Sequence, residues 1–311
     1  MSKCKFSVVV PVYNTTHVLL ELVEQICNMF NDLNETEFEI ILVNDYSPNP
    51  ETKVYLTKVC LLDQRVKVIH FGRNFGQQPA TICGISQSKG EFVITMDDDL
   101  QHSPEDIKNL IKEKEHDIVI AHLKGKKHSF FKRVASNIKN HFDHIILGKP
   151  KHIKMSSFRL ISRFVADNIC KLKSPNPFIP AMLFMISKDV VNVSVDHHQR
   201  AEGETGYNLK SMIRLFSNLM INNSSFLLNL LGKLGVITAL SSSAYAFYLI
   251  YRKLVIGVDS EGWTSLMVAI LFIGGLLLFS IGIIGEYLIR VIQSSEQKPA
   301  YIVKSIEGQN E

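Results

Sequence analysis

The chain has 311 residues, 46% of them hydrophobic and 21% charged, with a formal net charge of +4. This composition excludes a disordered chain, a collagen-like repeat and a disulfide-stapled mini-protein, and the length suits one large domain or two ordinary ones. A mean hydropathy of +0.10 is high for a soluble enzyme and low for a polytopic membrane protein, so a mixture of the two is expected. The cysteines (Cys4, Cys27, Cys60, Cys83, Cys170) are scattered and never form a CxxC pair. That argues against structural zinc or a disulfide framework and for a reducing compartment.

The first apolar run, Phe6 to Val12, is continuous and β-branched, as a buried parallel strand should be. Pro11 interrupts it, and it is too short for the apolar region of a signal peptide. His17 to Leu33 has helical spacing, Phe38 to Asp45 reads as a second strand, and Glu51 to Leu62 as a second helix. Val66 to Phe71 is a third strand, Ala80 to Ser88 a helix, and Glu91 to Met96 a fourth strand. Ser103-Pro-Glu-Asp opens a further helix, with Ser103 as cap, Pro104 in the first turn and acids suited to the dipole. Asp117 to Ala121 is a fifth strand. This alternation predicts an α/β fold with a mostly parallel, doubly wound sheet, whose ligands bind beyond the carboxyl ends of the strands.

Charge is uneven beyond this point. Residues 122–154 hold nine Lys/Arg and one acid, Asp143, a net +8 that leaves −4 for the rest of the chain. Phe130, Phe131, Val134, Ile138, Phe142 and Ile145 interleave these cations at helical spacing, giving an amphipathic helix near 128–147. It reads either as a membrane-facing surface or as a solvated charged face. A second amphipathic segment, near 207–222, is either interfacial or a core helix. Gly262 to Gly285 is uncharged, and as a helix it reaches roughly 36 Å, enough for a hydrocarbon core of about 30 Å. Leu234 to Tyr251 is a second, shorter uncharged run. A buried core helix is the alternative for each. Together they predict a transmembrane hairpin over 226–292, with helices near 232–253 and 262–287. Lys210, Arg214, Lys233, Arg290, Lys298 and Lys304 flank it, against Arg252 and Lys253 in the link. The positive-inside bias puts residues 1–225 and the tail, 293–311, in the cytoplasm.

The chemistry-bearing residues cluster at predicted strand ends. Pro11, Tyr13 and Asn14 follow the first strand, Asp45 the second, and Asp97-Asp-Asp-Leu-Gln the fourth. There is no GxGxxG or GxxxxGK[ST] loop, so neither dinucleotide nor P-loop binding is supported. Three successive aspartates repel one another unless a cation or solvent relieves them. They read either as a solvated acidic loop or as an oxygen-only site for Mg²⁺ or Mn²⁺.

PVYN at Pro11–Asn14, the Asp45-Tyr-Ser-Pro turn and Met96-Asp-Asp-Asp-Leu-Gln-His-Ser-Pro-Glu together resemble family 2 glycosyltransferases of the GT-A fold. Arg73-Asn-Phe-Gly-Gln, Glu202-Gly-Glu-Thr and the hairpin ending Gly285-Glu-Tyr narrow the resemblance to the polyprenyl-phosphate glycosyltransferases. That group includes bactoprenol glucosyltransferases, undecaprenyl-phosphate aminoarabinose transferases and dolichol-phosphate mannose synthase. The resemblance covers nearly the whole chain. It implies inverting, metal-dependent transfer of a sugar from a nucleotide-diphosphate sugar to a polyprenyl phosphate at the inner membrane face, for cell-envelope glycan modification. Family relatives can be homo-oligomers; no nucleic acid is implied.

Residue by residue, the resemblance makes Pro11, Tyr13, Asn14, Asp45, Asp97 and Asp98 the nucleotide-sugar contacts. Asp97, Asp99 and Gln101 become ligands of Mg²⁺ or Mn²⁺, and Asp97, Asp99 and Arg200 the catalytic group. Lys132, Arg133 and Ser136 are then the acceptor-phosphate contacts. The acceptor phosphate is already ionised near neutral pH, so catalysis rests on positioning and charge compensation. The chain departs from the pattern at Thr15 (usually Glu), Asp98 (usually small), Leu123 (often Arg) and Gly206 (often Lys). A non-catalytic membrane scaffold on the same fold is the rival from another class. A processive polysaccharide synthase is the enzymatic rival, but its QxxRW signature is absent, since Trp263 lacks a preceding arginine.

Overall fold

The computed structural model describes residues 4–123, 150, 152–172, 174, 177–195, 262–295 and 299–308, with scattered positions between 237 and 255. The chain divides into two units, Met1–Gly206 joined by Lys298–Glu311, and Tyr207–Gln297.

One eight-stranded sheet organises the first unit. Its strands are β1 (Phe6–Val12), β2 (Phe38–Asn44), β3 (Val66–Phe71), β4 (Phe92–Thr95), β5 (Ile118–Leu123), β6 (Arg159–Ser162), β7 (Val190–Val195) and β8 (Val303–Glu307). They lie in the order β7-β5-β6-β4-β1-β2-β3-β8. β1, β2 and β3 are buried along their whole length, as continuous apolar runs require.

The two-residue period of a strand divides each one between two cores. Val8, Val10 and Val12 pack with Leu19, Leu22, Ile26, Met29 and Phe30 of α1 (Val18–Asp32) and with Leu56 and Val59 of α2 (Pro50–Leu62). Val9 faces the other way, onto Ala80, Cys83 and Ile85 of α3 (Gln77–Ser86). Ile107 and Leu110 of α4 (Ile107–Lys112) join the first core; Val165 and Ile169 of α5 (Arg163–Lys171) and Met182 of α6 (Ile179–Ile186) join the second. Phe30 is fully buried and stacks on Phe38 at 4.3 Å. The helix starts follow the expected chemistry. Ser103 Oγ accepts the Glu105 amide at 3.3 Å ahead of the 3-10 turn Pro104–Asp106, and Asn49 accepts the Glu51 amide at 3.0 Å with Pro50 next.

The sheet is mostly parallel, as expected, with two antiparallel strands. β1 pairs in parallel with β2 and β4, β2 with β3, and β5 with β7. β6 runs antiparallel between β4 and β5, and β8 antiparallel along β3. β6 was hidden in the sequence because it has four residues and opens with an arginine, against the apolar pattern of a buried strand.

The segment read as a tail supplies an edge strand. Tyr301 stacks on Phe71, with centroids 5.4 Å apart and planes at 6°, and its hydroxyl meets Ser86 Oγ at 3.0 Å. The Gly72 amide donates to the Ile302 carbonyl at 3.1 Å.

The second unit holds α7 (Trp263–Ser295), a helix of 33 residues. Leu266, Ile270, Phe272, Leu277, Phe279 and Ile281 on it are exposed. Several of its side chains lie outside the described residues, and among the described residues no helix is long and apolar enough to cross a membrane. The described positions between 237 and 255 are all helical. The amphipathic segments expected near 128–147 and 207–222 lie outside the described residues.

Candidate active site

Because β1 lies between β2 and β4 and runs parallel to both, their carboxyl ends open on one edge of the sheet. The cleft there has a volume of about 310 Å³ and is lined by Pro11, Val12, Tyr13, Asp45, Asn74, Gly76, Gln77, Asp97, Asp98 and Asp99. Six of the predicted contacts, Pro11, Tyr13, Asp45, Asp97, Asp98 and Asp99, are thus brought together. Each of the three strand-end loops carries a non-glycine residue in the left-handed region: Asn14 (φ 61°), Tyr46 (φ 56°) and Leu100 (φ 55°). Such residues cost of order 1 kcal/mol apiece and gather where loops must aim side chains at a ligand.

On one side of the cleft stands Asp45. Its carboxylate accepts the amides of Phe75 at 2.7 Å and Gly76 at 2.8 Å, and Asn74 Nδ2 donates to its carbonyl at 3.2 Å. Gly76 aims its amide from φ 95°, a conformation that glycine adopts without strain. Burial lifts the Asp45 carboxyl above its ordinary range, and the two amides partly offset this. The segment Arg73-Asn-Phe-Gly-Gln, seen in the sequence only as a family mark, therefore wraps the Asp45 carboxylate.

On the other side stand the three aspartates. Asp97 accepts from Gln77 Nε2 at 2.5 Å and from Ser157 Oγ at 2.6 Å, which ties α3 to the start of β6. Arg159 is buried behind it; burial pulls its guanidinium down to about 10, with Asp97 opposing. Asp98 turns back to accept the Tyr13 amide at 3.3 Å and the Thr15 hydroxyl. Enclosure pushes its carboxyl up to about 6, and the charges of Asp97 and Asp99 add to the rise. Asp99 accepts the Gln101 amide at 3.1 Å.

The family model for glycosyl transferase family 2 matches residues 7–170, more than half of the chain and every loop just described. The chain is a family 2 glycosyltransferase. Over 98% of its length and 94% of the relative's, this glycosyltransferase is 32% identical to YkcC of Bacillus subtilis (strain 168), named as an uncharacterized glycosyltransferase. It is 28% identical to the undecaprenyl-phosphate 4-deoxy-4-formamido-L-arabinose transferase of Proteus mirabilis (strain HI4320), over 98% and 94% of the two chains. Its fold resembles that of glucosyl-3-phosphoglycerate synthase from Mycobacterium tuberculosis, solved in complex with Mn²⁺ and uridine-diphosphate-glucose. The TM-score is 0.51 at 13% identity, over 71% of this chain and 79% of that one.

Among the described residues of the glycosyltransferase, no three His, Cys, Asp or Glu side chains converge as a self-sufficient metal site. The donors available, Asp97, Asp99 and the amide oxygen of Gln101, are all oxygens. That set fits a hard divalent cation that completes its shell with water and substrate phosphates. Asn14 lies outside the cleft lining. Its amide donates to Ser47 Oγ at 3.0 Å and its Oδ1 accepts the Asn49 amide at 3.3 Å, so it staples the first loop to the second.

Two departures from the family pattern meet each other, since Thr15 donates to Asp98 where a glutamate would set a second carboxylate against it. Lys132, Arg133, Ser136, Arg200 and Gly206 lie outside the described residues, as does the Leu123 side chain. Asn74, Gly76, Gln77, Ser157 and Arg159 are residues of the site that the sequence reading did not assign. For the first three the available signal was the motif from Arg73 to Gln77; for the last two there was none.

Proposed function

We propose that this glycosyltransferase moves a sugar, with inversion, from a nucleotide-diphosphate sugar to a polyprenyl phosphate at the cytoplasmic face of a membrane. One observation carries the reading: a single cleft sets the amide-anchored Asp45 opposite the aspartates Asp97 to Asp99. Pro11, Tyr13 and Asp45 bind base and ribose. Asp97, Asp99 and Gln101 would hold Mg²⁺ or Mn²⁺, which when bound neutralises the leaving diphosphate. Gln77 and Ser157 orient Asp97, and Thr15 keeps Asp98 turned toward the first loop. Arg200 is assigned to the donor phosphates.

The acceptor assignment draws support from the printed activity of the Proteus relative and from the +8 segment with Lys132, Arg133 and Ser136. Anchoring is proposed through a hairpin over 226–292. Support comes from α7 and from the chain itself, since β1 to β7 share one sheet with β8 and must lie on the same side of any membrane as it does. An excursion between them crosses an even number of times. Both termini are accordingly proposed as cytoplasmic.

Full-length protein in detergent, with Mn²⁺ or Mg²⁺, undecaprenyl phosphate and a panel of radiolabelled nucleotide sugars, should give a labelled lipid extractable into organic solvent. Label transfer to water alone, or to no lipid with any donor, would overturn the acceptor assignment.

A further inference from the structure

His70 lies on β3 outside the cleft, yet hydrogen bonds connect it to the cleft's rim. Asn44, at the end of β2, accepts at Oδ1 both the amide of Ser47 (3.0 Å) and its hydroxyl (2.7 Å). With that oxygen committed, Asn44 Nδ2 is the donor to His70 Nδ1 at 3.1 Å. The imidazole proton then sits on Nε2, which faces Glu307 Oε1 of β8 at 3.2 Å, off the line of a good hydrogen bond. Ser47 Oγ in turn receives the Asn14 amide beside Tyr13. The route runs β8, β3, β2, second loop, first loop, and it ends on two residues held in the left-handed region, Asn14 and Tyr46.

The far end of this route is firmly placed. Thr57 of α2 donates to Glu307 Oε2 at 3.1 Å. Gly308, at φ 84°, lies so close to the Val66 carbonyl and Cys60 Sγ that a Cβ there would fall 2.4 Å and 2.5 Å from them. β8 is therefore held in place along β3, with its register shifting between His70 and Phe71.

We propose that His70, clamped between Glu307 and Asn44, is a positioning residue for the nucleotide pocket, and that β8 is part of the pocket's support. The inference rests on the donor reading given above. Its chemistry has a direction. While the imidazole is neutral, Nδ1 accepts from Asn44 and the amide oxygen stays on Ser47. A proton on Nδ1 would face the Asn44 N–H and turn the amide, which takes the acceptor away from both groups of Ser47. The charged groups facing His70 are Glu307 and Lys304 from β8 and Lys53 from α2. Burial and the two lysines hold the ring neutral, against Glu307.

The test is hydrogen exchange on the full-length protein without nucleotide, paired with titration of UDP and of GDP in Mn²⁺. His70→Phe, which keeps a ring and removes the acceptor, should speed exchange at the Ser47 and Asn14 amides about tenfold and weaken nucleotide binding by a similar factor. His70→Asn, whose amide oxygen can take the place of Nδ1, should rescue both. Amides of Val18–Asp32 report whether each variant folds. In wild type the Ser47 amide, corrected for its intrinsic rate, should lose protection between pH 7 and pH 5, and in His70→Asn it should not. Glu307→Gln, at a half-exposed site, should move that loss to lower pH because it removes the charge that favours the protonated ring.

Ser47 exchange in folded His70→Phe equal to wild type, or a pH onset that Glu307→Gln leaves in place, overturns the relay. Altered exchange with unaltered nucleotide affinity overturns the positioning role. If wild type binds neither nucleotide, the donor reading fails, and the exchange data still decide the relay.

Discussion

The turn after β2 and the loop after β4 both bring carboxylates to the same cleft, and they are held in opposite ways. Asp45 has its charge met by two backbone amides and its turn fixed by Asn44 and Ser47. Asp97 is met by an amide side chain and a hydroxyl, Asp98 by a hydroxyl and one amide, and among the described residues no cationic side chain is hydrogen-bonded to either. The first loop system is complete in itself, as suits a rigid half-site for a neutral base and ribose. The second is left with excess negative charge, which suits a place where a cation and a diphosphate arrive together. Under the proposed function, preorganisation in one loop and excess negative charge in the other would be two answers to binding one ligand with uncharged and charged ends.

The sharpest way to break this comparison is at Asp99. Asp99→Ala should lower transfer at least about a hundredfold and make nucleotide binding insensitive to Mn²⁺, with membrane insertion intact. Rates near wild type, measured by lipid labelling, would show that the acidic loop is not the cation side. Asp45→Ala should act on the other half. We expect the donor KM to rise about tenfold, and stability to fall by about 1–3 kcal/mol in denaturant melts as two amides lose their acceptor. Asp45→Asn, which retains one acceptor oxygen, should lie between. A Mn²⁺ dependence altered by Asp45→Ala would blur the division of labour.

The smallest effects are in pH, and their signs differ between the two loops. His70 has a folded pKa below its unfolded value near 6.5, so the unfolded chain binds the proton more readily, and stability falls as pH drops below that value. Asp98, raised to about 6 from an unfolded value near 3.9, works the other way, since the folded state holds the proton and stability rises as pH falls through 6. In EDTA, Asp98→Asn should therefore be more stable than wild type at pH 7, by about 1 kcal/mol or more, with the gain shrinking toward pH 4. His70→Asn should instead remove a loss seen only on the acid side. Urea melts at pH 5 and pH 7 distinguish them.

How much of this was legible in the sequence depended on the range of the interactions. β1, β2 and β4 declared themselves as apolar, β-branched runs, and once β1 lies parallel between the other two the positions of Tyr13, Asp45 and Asp97 follow from topology. β6 did not, because Arg159 in a strand of four looks like a surface loop until its partners on β4 and β5 are known. Gln77 and Asn74 were visible as a motif but had no role, since that depends on the backbone at Gly76. Asn14 was read as a ligand contact because it closes the Pro11–Asn14 motif on which the family resemblance rests. Its left-handed backbone sends it to the neighbouring loop instead.

The pairing of Phe71 with Val303 has a consequence for how this chain comes to be folded. β3 emerges early in synthesis, whereas the strand that covers its open edge emerges only after the whole of residues 207–297. Until then the nascent sheet presents a bare row of amides and carbonyls, the surface on which one chain mistakes another for its own missing strand. Sealing of that edge requires residues 207–297 to have been made, and for the hairpin proposed above it would also require both ends to have returned to the same compartment. An excursion that ended on the wrong side of a membrane would leave the sheet unsealed, and the defect would be readable as an aggregating or protease-sensitive edge rather than as a silent error of topology.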